Sequence, residues 1–552
     1  MRLFEGAKVQ LYLPGARRVA GFLLVGLLAG CSGGSGGDAA TRTEISTNAI
    51  AFSAAGPAAE TPAAQMFTVT FGGDIAHLAV VHSGDAIASA TSVMNGRTAQ
   101  ITVVPAAPGQ IGPGPFVGAV AVTGYTCADA TCSKLSAGST STVSVNYQVS
   151  PTIQLVAPYV ATAGAPNTVL IRGVGFRAFN VTGVRFGDTA ATEIAINQSG
   201  TELLATHPAL AAGTYTVQLD ATNHQGAIPS TVALLVQDPV AYAATTLPLV
   251  PGTTNVRSLA YDAERSALLM VTDTAPSNPI VRYAYANGAW GAPTQVAGGF
   301  LDAALSADGR QLYGITATTL VPTDPVTLAL GTAVTAPSLA ENSALKNVVV
   351  GNDNRGLVTT SLPSSGATQG YFYDPPSAAL ILNGTALNNA TPAMSAAGSG
   401  AIVVQGDPTL TTDVAFYIYS TSNNSLTASA AAALRQNSVP PVVDRSFSRF
   451  VLNGTRVYDS NQNFLGTLAS TSQAVAISPN GTRAYAYDST AGGIVVYDIS
   501  ADRDEAAYDP LGAVTPLAGD PGTGVRMIIA PDGATLFLAG SAQIVVQPTP
   551  AQ

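Results

Sequence analysis

Along most of the chain apolar and polar residues alternate in short runs, and Gly or Pro interrupts them every few residues. Val143-Ser-Val-Asn-Tyr-Gln-Val149 is the plainest case. A period of two is that of a strand with one face buried and one wet. Runs of this kind at Met66–Phe71, Ile75–Val81, Thr98–Val104, Phe116–Thr123 and Ser141–Val149 predict strands joined by turns. No long stretch carries the 3.6-residue period of an amphipathic helix. The pattern predicts an all-β protein, with residues 41–150 forming a two-sheet sandwich.

From residue 240 onward the pattern changes. An apolar strand, a polar turn and a second apolar strand recur with a period of roughly 45 residues, the spacing of propeller blades. One copy runs from Val256 to Val271 and another from Leu301 through Asp308-Gly309 to Ile315. The clearest runs from Ala474 through Ser478-Pro479-Asn480-Gly481 to Tyr487, followed by Gly493–Ile499. The last is Met527 through Pro531-Asp532-Gly533 to Leu538. Asn-Gly and Asp-Gly after an apolar strand are strong hairpin signals. Blade-like units begin near Val256, Leu301, Leu345, Pro392, Pro440, Ala474 and Val525, which predicts seven. The middle copies are degenerate, so six and eight are the alternatives. The final unit is one strand short, and Thr245–Val250 is placed to supply it and close the ring.

Residues 151–238 hold a more specific pattern. Pro151-Thr-Ile-Gln-Leu-Val-Ala-Pro158 is followed by Ala163-Gly164, Val169-Leu-Ile-Arg-Gly173-Val-Gly175-Phe176, Val184-Arg-Phe186-Gly187 and Gly213-Thr-Tyr215-Thr-Val217. This resembles the IPT/TIG family, whose members are immunoglobulin-like sandwiches. The resemblance implies an aromatic core of Phe176, Phe186 and Tyr215. Gly173 and Gly175 are expected to allow a bend with positive φ. Residues 41–150 resemble, in architecture only, the immunoglobulin-like domains of bacterial envelope proteins. The 239–552 repeats are similar to YVTN and lactonase-like propellers, which share the strand–Ser-Pro-Asp/Asn-Gly–strand signature. That signature speaks for architecture and says little about activity.

The N-terminus assigns a compartment. Lys8, Arg17 and Arg18 precede an apolar run, Val19–Leu28, and the run ends in Leu28-Ala29-Gly30-Cys31. A basic segment, about ten apolar residues and a small-residue cleavage site describe an export signal. The run is shorter than the ~20 residues of a membrane span, and glycines interrupt it. Leu28–Cys31 resembles a lipobox, which implies cleavage between Gly30 and Cys31 and a diacylglyceryl group on the Cys31 thiol. Ser32 after the Cys favours the outer membrane by the same resemblance. The expected division is a signal peptide at 1–30, lipidated Cys and Gly/Ser tether at 31–40, sandwiches at 41–150 and 151–238, and propeller at 239–552.

Composition narrows the partners. Residues 1–30 hold four basic residues and one acidic; without them 19 basic face 32 acidic residues, a net charge of −13. Such a surface repels phosphate backbones, so nucleic acid is not an expected partner. The expected contacts are a membrane, through the lipid, and a protein or glycan ligand. Cys127 and Cys132 are the other cysteines, and an isolated pair in an exported chain reads as a disulfide.

Chemistry is sparse. The chain has four histidines, His77, His82, His207 and His224, all before the propeller. The propeller therefore lacks histidine bases, thiolates and ordinary zinc ligands. Asp459-Ser-Asn461-Gln-Asn463 has alternating oxygen donors like a calcium loop. It lacks the glycine at the sixth position (Phe464) and the glutamate at the twelfth (Thr471), so a plain hairpin turn is expected and calcium is the minor alternative. Asp502, Asp504, Glu505 and Asp509 read as a solvated acidic loop, and Asn352-Asp353-Asn354 as a polar turn. No catalytic residue, metal ligand or cofactor is assigned. The leading expectation is a non-catalytic, lipid-anchored envelope protein that displays its propeller for binding. The alternatives are a propeller enzyme, lactonase-like hydrolase or lyase, and a periplasm-facing assembly factor.

Overall fold

The computed structural model describes residues 43–550 except 127–134, 225–226, 229, 362–368, 388, 396–397, 399, 406–414, 421–424, 429–438 and 471. Gly30, Cys31, Cys127 and Cys132 lie outside the described residues. Strands dominate, and the one α-helix among the described residues is the single turn Pro108–Ile111. No helix there is long and apolar enough to cross a membrane.

The first sandwich packs two four-stranded sheets face to face. One orders Glu44–Ile45, Gln65–Thr70, Thr98–Pro105 and Ile87–Asn95; the other orders Ala49–Ala54, Leu135–Val149, Gly114–Tyr125 and His77–Ser83. Alternate residues meet in a core that includes Phe52, Phe67, Ile101, Val120, Val145 and Tyr147. The period-two pattern of Ser141–Val149 thus places Val143, Val145, Tyr147 and Val149 inside.

The second sandwich has a four-stranded and a five-stranded sheet. Phe176 and Phe186 are fully buried between them, while Tyr215 packs partly buried at the rim. The Tyr215 hydroxyl donates to the Ala211 carbonyl, 3.0 Å away, a turn-locking bond familiar from immunoglobulin-like folds. Gly175 has φ of 86°, as expected of a bend. Gly173 does not take a positive φ, which corrects the sequence expectation. It sits at a strand irregularity, where a Cβ would lie 2.0 Å from the Thr152 carbonyl oxygen. Its role is close approach of two backbones, with the Phe176 ring beneath.

Among the described residues seven sheets of four strands or more follow, antiparallel throughout except that Ala507–Tyr508 joins the edge strand Phe464–Leu468 in parallel. Their innermost strands are Thr253–Asp262, Asp302–Leu305, Leu345–Val350, Thr391–Met394, Val442–Val443, Ala474–Ile477 and Arg526–Ile529, which we number as blades 1 to 7. Each inner strand neighbours the next, and the seventh neighbours the first, so the sheets form a closed ring. The seventh blade takes its outer strand from Thr245–Pro248, which pairs antiparallel with Gln543–Pro548, Thr245 facing Val546. Apolar clusters between adjacent blades carry the packing. One of them, with Tyr242, Tyr283, Phe537 and the single tryptophan, Trp290, seals the join of blades 7 and 1.

The turn after the inner strand explains the repeated motif. In blade 2 the Ser306 hydroxyl donates to Asp308, accepts from the Gln311 amide, and the Gly309 amide returns to the Ser306 carbonyl at 2.9 Å. Blade 6 repeats this with Ser478, Asn480, Arg483 and Gly481. Gly309, Gly481 and Gly533 all have φ near the left-handed well, at 66°, 72° and 76°.

Candidate binding channel

These turns converge on one face of the propeller, and the second sandwich is docked there. Arg172 forms an ion pair with Glu202 of its own domain and reaches blade 3, donating from Nε to Asn352 Oδ1 at 3.2 Å. Its Nη1 lies 3.6 Å from Asp353 Oδ2. The Tyr159 hydroxyl donates to Asp262 of blade 1 at 3.4 Å, and its ring covers Gly309 of blade 2. Arg445 of blade 5 donates to the Val160 carbonyl at 3.4 Å. The linker adds a bond from the Val240 amide to Asp532 of blade 7 at 2.8 Å. Asn352-Asp353-Asn354 is therefore part of a domain joint, and Asn352 is buried. Burial pushes the Asp353 carboxyl up, against the pull of Arg172 and Arg355, and pushes the Tyr159 hydroxyl up as well.

Docking closes one end of the central channel. Pro158, Tyr159 and Val160 form its floor and the seven inner strands its wall, leaving a cavity of about 530 Å³. The wall is mostly Ala, Val, Leu and Ile, with charge supplied by Arg257, Asp302, Arg445 and Arg526. Arg445 belongs to the floor. The other three lie toward the opposite end, Asp302 and Arg526 at the starts of their strands and Arg257 within Thr253–Asp262. Asp302 and Arg526 occupy equivalent places, each four residues before the residue that opens the blade turn, Ser306 and Ala530. Arg257 is brought to the same level by a strand irregularity between Val256 and Ser258.

Asp302 is buried and accepts from the Val348 amide at 2.9 Å, the Ala303 amide at 2.8 Å and Asn347 Nδ2 at 3.2 Å. Burial pushes its carboxyl up, opposed by those donors and by the positive charge of Arg526. Blade 1 stands between the blades that carry Asp302 and Arg526, so this attraction runs across the channel. Arg257 pairs through Nε with Asp273. No hydrogen bond or ion pair holds the Arg526 guanidinium among the described residues, and burial lowers its pKa. The Asn347 Oδ1 and Ser258 Oγ atoms are buried in the wall without a hydrogen-bond partner.

The remaining sequence candidates sit elsewhere. The Asp459 carboxylate is occupied by its own hairpin, accepting from the amide and side chain of Asn463, both at 2.8 Å. Asp502, Asp504, Glu505 and Asp509 line an exposed loop. His77 and His82 share the strand His77–Ser83, and buried His207 bonds the Pro208 carbonyl through Nδ1 at 2.7 Å. No three His, Cys, Asp or Glu side chains are grouped for a metal among the described residues. Sequence reading missed the channel arginines. The available signal was Val-Arg at the start of two repeats, Val256-Arg257 and Val525-Arg526.

Residues 151–234 match the IPT/TIG domain. The match covers the sandwich that plugs the propeller. No curated protein matches the chain in sequence. Among solved structures, the Dos1 propeller is 12% identical, with a TM-score of 0.41 over 72% of this chain and 95% of its own. The WD40 repeats of RRP9 are 9% identical, with a TM-score of 0.40 over 55% of this chain and 97% of theirs. A gluconolactonase from Xanthomonas campestris is 12% identical, with a TM-score of 0.35 over 56% of this chain and 90% of its own. The blade assignment rests on the strand pairing itself.

Proposed function

We propose that this chain is a non-catalytic, lipid-anchored protein of the bacterial outer membrane that presents its propeller for binding a protein or glycan. The observation that carries the reading is the docking of the IPT/TIG domain on one propeller face. It leaves the opposite face, with the loops that enter the inner strands and the open channel end, as the presented surface. Loops held by rigid blades are well placed for recognition. The lipobox-like Leu28–Cys31 and the Gly/Ser tether support attachment, since acyl chains added to one cysteine hold a protein on a bilayer. Replacing Cys31 by Ala is expected to move the protein from the membrane fraction to the soluble one. Persistent membrane fractionation of the variant would sink the anchor. Protease treatment of intact cells then reads orientation: digestion places the propeller outside, and protection until permeabilisation turns it toward the periplasm.

A further inference from the structure

We infer that the propeller channel is a binding site for a small carboxylic acid that also carries a hydroxyl or ammonium group. The space is right: about 530 Å³ falls within the roughly 300–1,000 Å³ of small-molecule sites. It is blind, because Pro158, Tyr159 and Val160 close the far end, so a ligand entering from the open face is enclosed. The IPT/TIG domain thus forms the floor of the site as well as a support for the propeller.

The polar groups dictate the ligand. Arg526 lines the cavity, and its guanidinium has no hydrogen bond or ion pair from the described residues. An enclosed guanidinium without a partner is costly, and a carboxylate matches its paired donors. Arg257 spends its Nε on Asp273, and its two Nη atoms make no hydrogen bond among the described residues. It faces the same space, close enough that its charge depresses the pKa of Arg526. Two like charges held together call for an anion between them. A second negative group on the ligand would meet Asp302, which lines the same cavity. The Asp302 carboxylate instead offers an acceptor to a hydroxyl or ammonium group. One carboxylate and one donor fit this arrangement; a phosphate dianion does not. The apolar remainder of the wall accommodates a carbon skeleton.

The experiment uses the full chain in detergent. Glycolate, glycine and D-galacturonate are titrated by calorimetry, beside acetate, D-galactose and inorganic phosphate. At least one of the first three is expected to bind with Kd below about 1 mM and more tightly than acetate, galactose and phosphate. Arg526→Gln is expected to weaken that binding about tenfold or more. Arg526→Lys keeps the charge and the fold while removing the paired donors, and is expected to lose most of the affinity with an unchanged melting midpoint. Absence of binding by all three acids would overturn the proposal, as would tighter binding of phosphate or affinity unchanged in Arg526→Lys. None of these outcomes bears on membrane attachment or orientation, which the Cys31 and protease experiments read separately.

Discussion

The IPT/TIG domain has a joint at each end, and the two are built differently. Toward the first sandwich the contacts are small and apolar. A Cβ on Gly56 would lie 2.4 Å from Thr152 Cγ2, and one on Gly175 would lie 2.7 Å from Pro113 Cβ. Toward the propeller the joint is polar and spread over several blades, through Tyr159, Arg172, Arg445 and Asp532. Apolar contacts among glycines and prolines hold two bodies near each other with little regard to angle. Hydrogen bonds to several blade turns fix orientation, because each is directional. Two sandwiches of similar architecture are therefore joined differently: the first meets its neighbour through small apolar contacts, and the second is hydrogen-bonded to the propeller.

This contrast can be broken by core substitutions with matched chemistry. Phe67→Ala and Phe186→Ala each remove a buried ring, at a cost of about 3–5 kcal/mol. Phe67→Ala is expected to unfold the first sandwich while leaving the urea midpoint read by Trp290 fluorescence in place. Phe186→Ala is expected to lower that midpoint too, because the propeller loses its docked partner. Equal Trp290 midpoints for the two variants would contradict the difference between the joints. A smaller effect is expected of Arg172→Ala, which leaves Glu202 and Asp353 as half-sequestered carboxylates and costs about 3 kcal/mol. A double-mutant cycle with Asp353→Asn checks it; additive losses would mean the two groups do not couple.

The smallest effect is in pH dependence. Burial raises the Asp353 carboxyl above its unfolded value of about 3.9. The folded state thus binds the proton more readily. The contribution of Asp353 to stability is present below about pH 4 and is lost as pH rises through its folded value. Asp353→Asn is expected to flatten this part of the pH profile of the urea midpoint as pH rises above about 4, and an unchanged slope would assign the dependence to other groups.

Much of the architecture was legible, for a local reason. The blade turn is specified by residues within a few positions of one another, as in Ser478, Asn480, Gly481 and Arg483. Inner strands consequently begin within a few residues of the expected starts; Leu345 and Ala474 coincide with theirs. The strand Ile87–Asn95 is hard to read because its run Ser89-Ala-Thr-Ser92 carries no large apolar side chain to mark the inward positions. The joint was illegible for the opposite reason. Asn352-Asp353 looks like a solvated turn until Arg172, 180 positions away, is brought against it. The channel charges have the same character. Beyond the repeated Val-Arg of Val256-Arg257 and Val525-Arg526, nothing near Asp302 or Arg526 in sequence says that a ring of seven strands will set them facing one cavity. Sites assembled from one residue per repeat leave only a trace in each repeat.

The strand exchange that closes the ring has a consequence for the order of events as the chain is made. Thr245–Pro248 is complete almost 300 residues before its partner, Gln543–Pro548. The IPT/TIG domain finds its own strands within residues 152–237 and has no need to wait. The clasp must wait, as must the Val240 and Tyr242 amides, whose acceptors are Asp532 and Thr535. A pairing this distant carries the largest loop-closure cost in the molecule and cannot form until the final blade has been made. The blind pocket comes into being only at that moment, since its wall is one blade short until Arg526–Ile529 takes its place. A molecule interrupted before its final blade would have every other structural element and no chamber.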